Sequence, residues 1–198
     1  VLAPEFIYFE GFEFPAKWST EYTGAFNVGW VRDNQSAHKG VHSGLSYGIS
    51  GTGSSILQLQ VDPALQLDRP GLKFWQRYNL ELGSDGGVVE VSNDNGITWS
   101  KVPDDLFLVN GYSDLISYDQ LHKVTEPAFS GEEAWHPVII DLSDYKGDQI
   151  LIRFRQIGQE SLFDFFTTGW RLDDIEIFNI IESPSVTILK SDEEILTR

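Results

Sequence analysis

Hydrophobic and polar residues alternate along this chain in short runs, and clusters of glycine, proline, serine and aspartate separate the runs. That pattern predicts an all-β sandwich or barrel, with few or no helices. Strands are expected at Phe6–Phe9, Phe26–Val31, Ser46–Ile49, Ser55–Val61, Leu72–Leu82, Val88–Ser92, His136–Leu142, Gln149–Ile157 and Gly169–Ile180. The alternation is plainest in Gln149–Ile157. Ile150, Ile152, Phe154 and Gln156 share one face, and Leu151, Arg153, Arg155 and Ile157 share the other, which the arginines mark as the wetter. Gly86-Gly87 reads as a turn. Pro103–Gly131 is irregular and polar in patches, and reads as a long excursion over the sandwich. From Glu182 onward the pattern changes, and Ser183-Pro184-Ser185 reads as a linker. The expected organisation is one domain over residues 1–181, with 182–198 a linker or extra strand leading to a following domain.

One stretch carries a local motif. Ser92-Asn93-Asp94-Asn95-Gly96-Ile97-Thr98-Trp99 fits S-x-D-x-G-x-T-W, the Asp-box pattern, at every fixed position. Asp94 and Asn95 are turn formers, and Gly96 can take the positive φ of a tight hairpin. The Asp94 carboxylate can accept bonds from turn amides, while Thr98 and Trp99 start the returning strand. The motif predicts a β-hairpin.

Composition then narrows the function classes. A chain of 198 residues can bury one good core. It has no methionine, so it is expected to be a processed or excised piece of a longer protein. No apolar run approaches a membrane span. The net charge of −16 repels phosphate backbones, so nucleic acid is a poor partner, whereas a hard cation such as Ca²⁺ suits it. The absence of cysteine removes disulfides and thiolate metal sites. A secreted prokaryotic origin fits that composition better than an animal ectodomain.

Catalytic readings find little support. Asp-boxes repeat around sialidase propellers, but here the box occurs once in a chain too short for six blades. His38 and His42 have the spacing of H-E-x-x-H, but Lys39 stands where the general base belongs and Gly40 opposes the helix. The residues read instead as a turn with two exposed histidines. Glu132-Glu133 and Asp104-Asp105 are adjacent pairs, which point to opposite faces of a strand. Binding is the stronger reading. Trp18, Trp30, Tyr112, Tyr118 and Trp135 are candidate stacking platforms, with Tyr112, Tyr118 and Trp135 carried as the ligand-binding set, while Trp75 and Trp99 are assigned to core or hairpin packing.

Several segments in order complete the reading: Glu10-Gly11-Phe12-Glu13, Val41-His42-Ser43-Gly44, Leu72-Lys73-Phe74-Trp75, Ile140-Asp141-Leu142-Ser143, and Gly169-Trp170-Arg171-Leu172-Asp173-Asp174-Ile175. This set resembles the MAM-like jelly-roll β-sandwich domains attached to immune-inhibitor-A-type secreted metallopeptidases and found in bacterial adhesins. The resemblance implies two antiparallel sheets and a non-catalytic extracellular or cell-surface accessory module. It also implies a structural Ca²⁺ held by Glu10 or Glu13, by Asp173 or Asp174, and by backbone near His42 and Ser43. The partners it implies are a glycan or protein ligand and neighbouring domains of the same polypeptide. The alternatives are a structural domain packed against a catalytic peptidase domain, or an independent hydrolase.

Overall fold

The computed structural model describes residues 6–14, 17–24, 29–49, 51–59, 67–119, 124–146, 150–159 and 167–180. Two antiparallel sheets face one another as a jelly-roll β-sandwich. The larger sheet runs in the order β3 (Trp30–Asp33), β4 (Ser43–Ser46), β14 (Gly169–Asn179), β6 (Pro70–Asn79), β12 (Glu132–Asp141), β9 (Phe107–Val109), and β1 (Phe6–Glu10) also pairs with β14. The smaller sheet runs β2 (Trp18–Thr23), β5 (Gly53–Leu59), β13 (Leu151–Gly158), β7 (Gly86–Ser92), β8 (Ser100–Lys101). A separate hairpin joins β10 (Asp114–Asp119) to β11 (Val124–Ala128). Residues 182–198, read as a linker, lie outside the described residues.

Period-two alternation builds the core. On β6, Leu72, Phe74, Gln76 and Tyr78 are buried, while Lys73, Trp75 and Arg77 face outward. Opposite them, Leu57, Leu59, Val89, Val91, Ile152 and Phe154 fill the inner face of the smaller sheet. Aromatic edges join the layers where Phe74 meets Phe154 at 5.0 Å, and within the larger sheet Trp30 meets Trp170 at 5.4 Å. On β14 a bulge interrupts the pairing with β6 between Asp173 and Glu176, and Asp174 takes a φ of 45°. The extra residue shifts the phase by one, so Trp170 and Leu172 point inward before it and Ile175 and Ile177 after it. Both aspartates are thereby left on the outer side.

The smaller sheet departs from the simple pattern. Every residue of β7 is buried. The reason is the β10–β11 hairpin, which lies across the outer face and packs Ile116 and Ala128 on Val88 and Ile157. Ile157, expected on a wet face, is therefore covered. Gly86 and Gly87 are not a turn but the start of β7, and each admits a close neighbour from opposite sides. A Cβ on Gly86 would meet Ala128 at 2.7 Å, and one on Gly87 would meet the Trp170 ring at 2.7 Å. Pro103–Gly131 thus contributes three strands: β9 extends the larger sheet, and β10 and β11 form the hairpin that covers the smaller one. Glu90 lies under the same cover, bonded to Arg153 at 2.5 Å and to Arg155 at 2.7 Å, and Arg153 stacks on Trp99 at 4.0 Å.

The Ser92–Trp99 stretch closes the β7–β8 hairpin. Ser92 Oγ donates to Asp94 at 2.7 Å and accepts from the Gly96 amide at 2.8 Å. Asp94 accepts from the Thr98 amide at 2.9 Å and from its hydroxyl at 2.6 Å. Asn95 and Gly96 take positive φ of 59° and 84°. Those bonds hold the Asp94 carboxyl down to about 2, the Thr98 hydroxyl bond contributing most. The returning strand starts at Ser100 rather than at Thr98.

Candidate functional site

One cross-sheet row on the outer face of the larger sheet leads to a cleft. Val31 pairs with Leu45, Leu45 with Arg171, and Arg171 with Arg77, so one row crosses β3, β4, β14 and β6. The connection between β3 and β4 folds back over this face. Ser36 accepts the Ser43 hydroxyl at 2.6 Å through its carbonyl, and its own hydroxyl accepts the Trp135 indole at 3.2 Å. Further along, His38 stacks on Trp75 at 3.6 Å with the rings 10° apart. The loop therefore walls one side of a cleft of about 400 Å³, lined among others by Gln35, Ser36, Tyr47, Arg77, Thr168 and Arg171.

The polar groups of this cleft are unequal. Arg171 is committed: Nη1 donates to Asp33, to the Ser36 carbonyl at 3.3 Å and to the Ser43 hydroxyl at 3.3 Å. Burial opposes ionisation of Asp33, but the Arg171 hydrogen bond and the Gln35 amide outweigh it and keep that carboxyl below its usual range. Arg77 is exposed, and no hydrogen bond or ion pair to it occurs among the described residues. Tyr47 is 48% exposed, so its ring is open to a ligand. Aromatic face, guanidinium, amide and hydroxyls are the groups with which proteins hold sugars. Sequence reading missed Tyr47 and Arg77. The alternation of β6 placed Arg77 outward, but nothing local announces the loop that makes a cleft beside it.

The predicted residues fall elsewhere. Tyr112 is no exposed platform: its ring packs on Phe107 at 4.7 Å and Phe129 at 5.0 Å, and its hydroxyl lies 3.3 Å from the Val89 amide. Burial pushes that hydroxyl well above its usual range. Tyr118 lies on β10, with its side chain outside what is described. Trp135 is half-buried and tied to Ser36. Trp30 is core, Trp18 packs on Phe12 at 5.9 Å, and Trp75 sits outside the core under His38.

The six residues expected at a metal fall into separate settings. Both Glu10 oxygens accept amides, from Phe12 at 2.6 Å and Lys17 at 3.2 Å. Glu13 accepts the Val41 amide at 2.6 Å and the His42 amide at 2.9 Å and faces the His42 ring at 3.1 Å. Those bonds, led by the His42 amide, hold its carboxyl down to about 2. Ser43 is spent on Ser36 and Arg171. Asp173 accepts the His38, Lys39 and Asp174 amides, yet burial outweighs them and pushes its carboxyl up to about 6. Asp174 Oδ2 takes the His38 ring at 2.7 Å. No group of three or more His, Asp or Glu side chains is placed to hold a metal among the described residues. Glu10 and Asp174 remain neighbours, since a Cβ on Gly11 would stand 3.8 Å from Asp174 Oδ1 and β1 pairs Glu10 with Ile175.

The described histidines, His38, His42 and His136, are occupied rather than exposed. His38 is held between Trp75 and Asp174, and His42 between Glu13 and Arg32. The Trp170 indole donates to Gln76 Oε1 at 3.0 Å, and the Gln76 amide nitrogen lies 3.0 Å from His136 Nε2. His136 Nδ1 lies 2.8 Å from the Ala134 carbonyl, which can only accept. Both nitrogens of the His136 ring are therefore engaged.

No protein-family model matches the chain, and no curated protein matches it. Solved structures do. A xylan-binding domain from Paenibacillus barcinonensis Xyn10C aligns at 11% identity and a TM-score of 0.50, covering 92% of this chain and 99% of that one. The K1 cleaved adhesin domain of Lys-gingipain from Porphyromonas gingivalis W83 aligns at 17% and 0.52, covering 88% and 98%. The glycoside hydrolase domain of Endo-D from Streptococcus pneumoniae R6 aligns at 15% and 0.52, where 84% of this chain covers 22% of that one. At such identities the likeness establishes the β-sandwich module fold.

Proposed function

We propose that this chain is a non-catalytic module that binds a glycan in the cleft between the β3–β4 loop and the outer face of β4, β14 and β6, as an accessory to a larger secreted or surface protein. The observation that carries the reading is the cleft itself, where the exposed Tyr47 ring stands beside Gln35, Thr168 and Arg77. Support comes from the company the fold keeps: similar structures include a xylan-binding domain and an adhesin domain. The test is glycan-array binding followed by calorimetry with Tyr47→Ala. Loss of about 5- to 150-fold in affinity without loss of fold is expected, since stacking on one aromatic contributes about 1–3 kcal/mol in nucleic-acid analogues. An unchanged affinity would move the site off this cleft.

The MAM-type assignment and calcium belong to the same proposal. Glu10 and Asp174, with backbone carbonyls, would hold the ion, and it would pin the first strand to the last as a hard cation bound by oxygens. A second reading rests on Phe9 and Phe14, which are 47% and 80% exposed and line one hollow of about 180 Å³ with Glu10 and Lys17. That hollow fits a module packed against a neighbouring domain, and stability gained only in the longer polypeptide would favour it.

A further inference from the structure

Resting on the glycan-binding reading, we infer that the cleft selects an acidic sugar, seating its carboxylate on Arg77. The argument is one of unbalanced charge. Arg77 and Arg171 are direct cross-strand partners on the same face. Like charges placed directly opposite each other are unfavourable in a sheet. Among the described residues, the one carboxylate bonded to the pair is Asp33, and Arg171 takes it through Nη1. Two other outward side chains of β6 have partners: Lys73 bonds Glu176 at 3.3 Å and Trp75 stacks on His38. The Arg77 guanidinium has none among the described residues.

A free guanidinium stands out in a chain of net charge −16, where carboxylates outnumber cations. Its planar fork matches a carboxylate bidentately, which an ammonium does not. Tyr47 in the same cleft offers the ring on which the sugar carrying that carboxylate would lie. The overall negative charge does not defeat such a ligand. At about 0.15 M salt the Debye length is about 8 Å, so distant carboxylates are screened while a direct contact is not.

The test is calorimetry of the whole chain with acidic sugars beside their neutral counterparts: oligogalacturonate against its methyl ester, and sialyllactose against lactose. Wild type is expected to bind at least one acidic form tenfold or more tighter than its neutral partner. Arg77→Ala should abolish that gap, and Arg77→Lys should keep part of it. The thermal midpoint of Arg77→Ala should not fall, because the variant relieves the arginine pair, so a binding loss cannot be blamed on unfolding. Equal affinity for acidic and neutral forms, or a gap that survives Arg77→Ala, would overturn the inference. Binding of neutral sugars that Tyr47→Ala removes would leave the glycan reading standing while this inference falls. Binding of no sugar by wild type would bring down both.

Discussion

Ile116→Ala tests whether the β10–β11 hairpin is an integral cover of the smaller sheet. Ile116 is fully buried and packs with Val88, Ala128 and Ile157 against Gly86, which has no Cβ to hold it off. The change removes three buried carbons. At about 0.8 kcal/mol each, transfer alone amounts to about 2.4 kcal/mol. A cavity term would add to this, within the ~2–5 kcal/mol range of such truncations. The hairpin has two strands and can settle inward, which places the expected loss at about 2–3 kcal/mol. For a chain of this size, a shift of about 2–4 °C per kcal/mol gives a midpoint lower by about 4–12 °C in calorimetry.

The hairpin is also tied by backbone bonds from Ser113 to Ala128 at 3.1 Å and from Ser117 to Gly83 at 3.1 Å, and by Lys101 donating to the Pro127 carbonyl at 2.8 Å. The loss should therefore appear in global unfolding and not as a local detachment. Leu115→Ala is the control, since Leu115 is 52% exposed and should move the midpoint little. Equal shifts for the two variants, or an Ile116→Ala loss under about 1 kcal/mol, would refute the packing argument. Glycan affinity should stay within about twofold in both variants, because the cleft lies on the other sheet.

Three further outcomes are expected. Gly87→Ala drives a Cβ into the Trp170 ring, which Phe129, Phe154 and Trp30 hem in, and should cost about 1–3 kcal/mol by urea denaturation. Asp94 has its carboxyl held at about 2 against about 3.9 unfolded. The stability it lends is present above about pH 4 and is lost as pH falls through 2. Asp94→Asn should therefore melt below wild type at pH 7, with the difference closing toward pH 2; a gap unchanged across that range would count against the turn's charge. Finally, wild type should melt higher in Ca²⁺ than in EDTA, and Asp174→Asn should lose most of that gain. Identical midpoints would remove calcium from the reading.

Strands with one wet face were legible in the sequence, because solvent on one side and core on the other write a period of two. Leu72–Leu82 and Gln149–Ile157 overlap β6 and β13 closely for that reason. Strands without that contrast were read poorly or not at all. β2, Trp-Ser-Thr-Glu-Tyr-Thr, is an exposed edge with no buried stripe, and it was missed. β7 is buried on both faces, and it was read only from Val88 onward because its leading glycines imitate a turn. In the hairpin, Ile116 and Ala128 alone join the covered cluster, too few to set a period. The expected strand at Ser46–Ile49 sits three residues late because β4 opens with Ser43-Gly44, where Gly44 lets the Phe12 ring approach.

The cleft could not be read locally, and the reason also argues for its role. Gln35, Tyr47, Arg77, Thr168 and Arg171 come from four separate stretches of chain and meet through the β3–β4–β14–β6 order alone. The smaller sheet spends its outer face on the hairpin and on the Glu90–Arg153–Arg155 cluster, where each charge is answered. The larger sheet answers Lys73 with Glu176 and Arg171 with Asp33, and among the described residues leaves Arg77 open beside an exposed tyrosine. A surface selected only for solubility would have no reason to set that unanswered cation opposite another arginine in a negatively charged chain. A ligand that brings its own carboxylate supplies one.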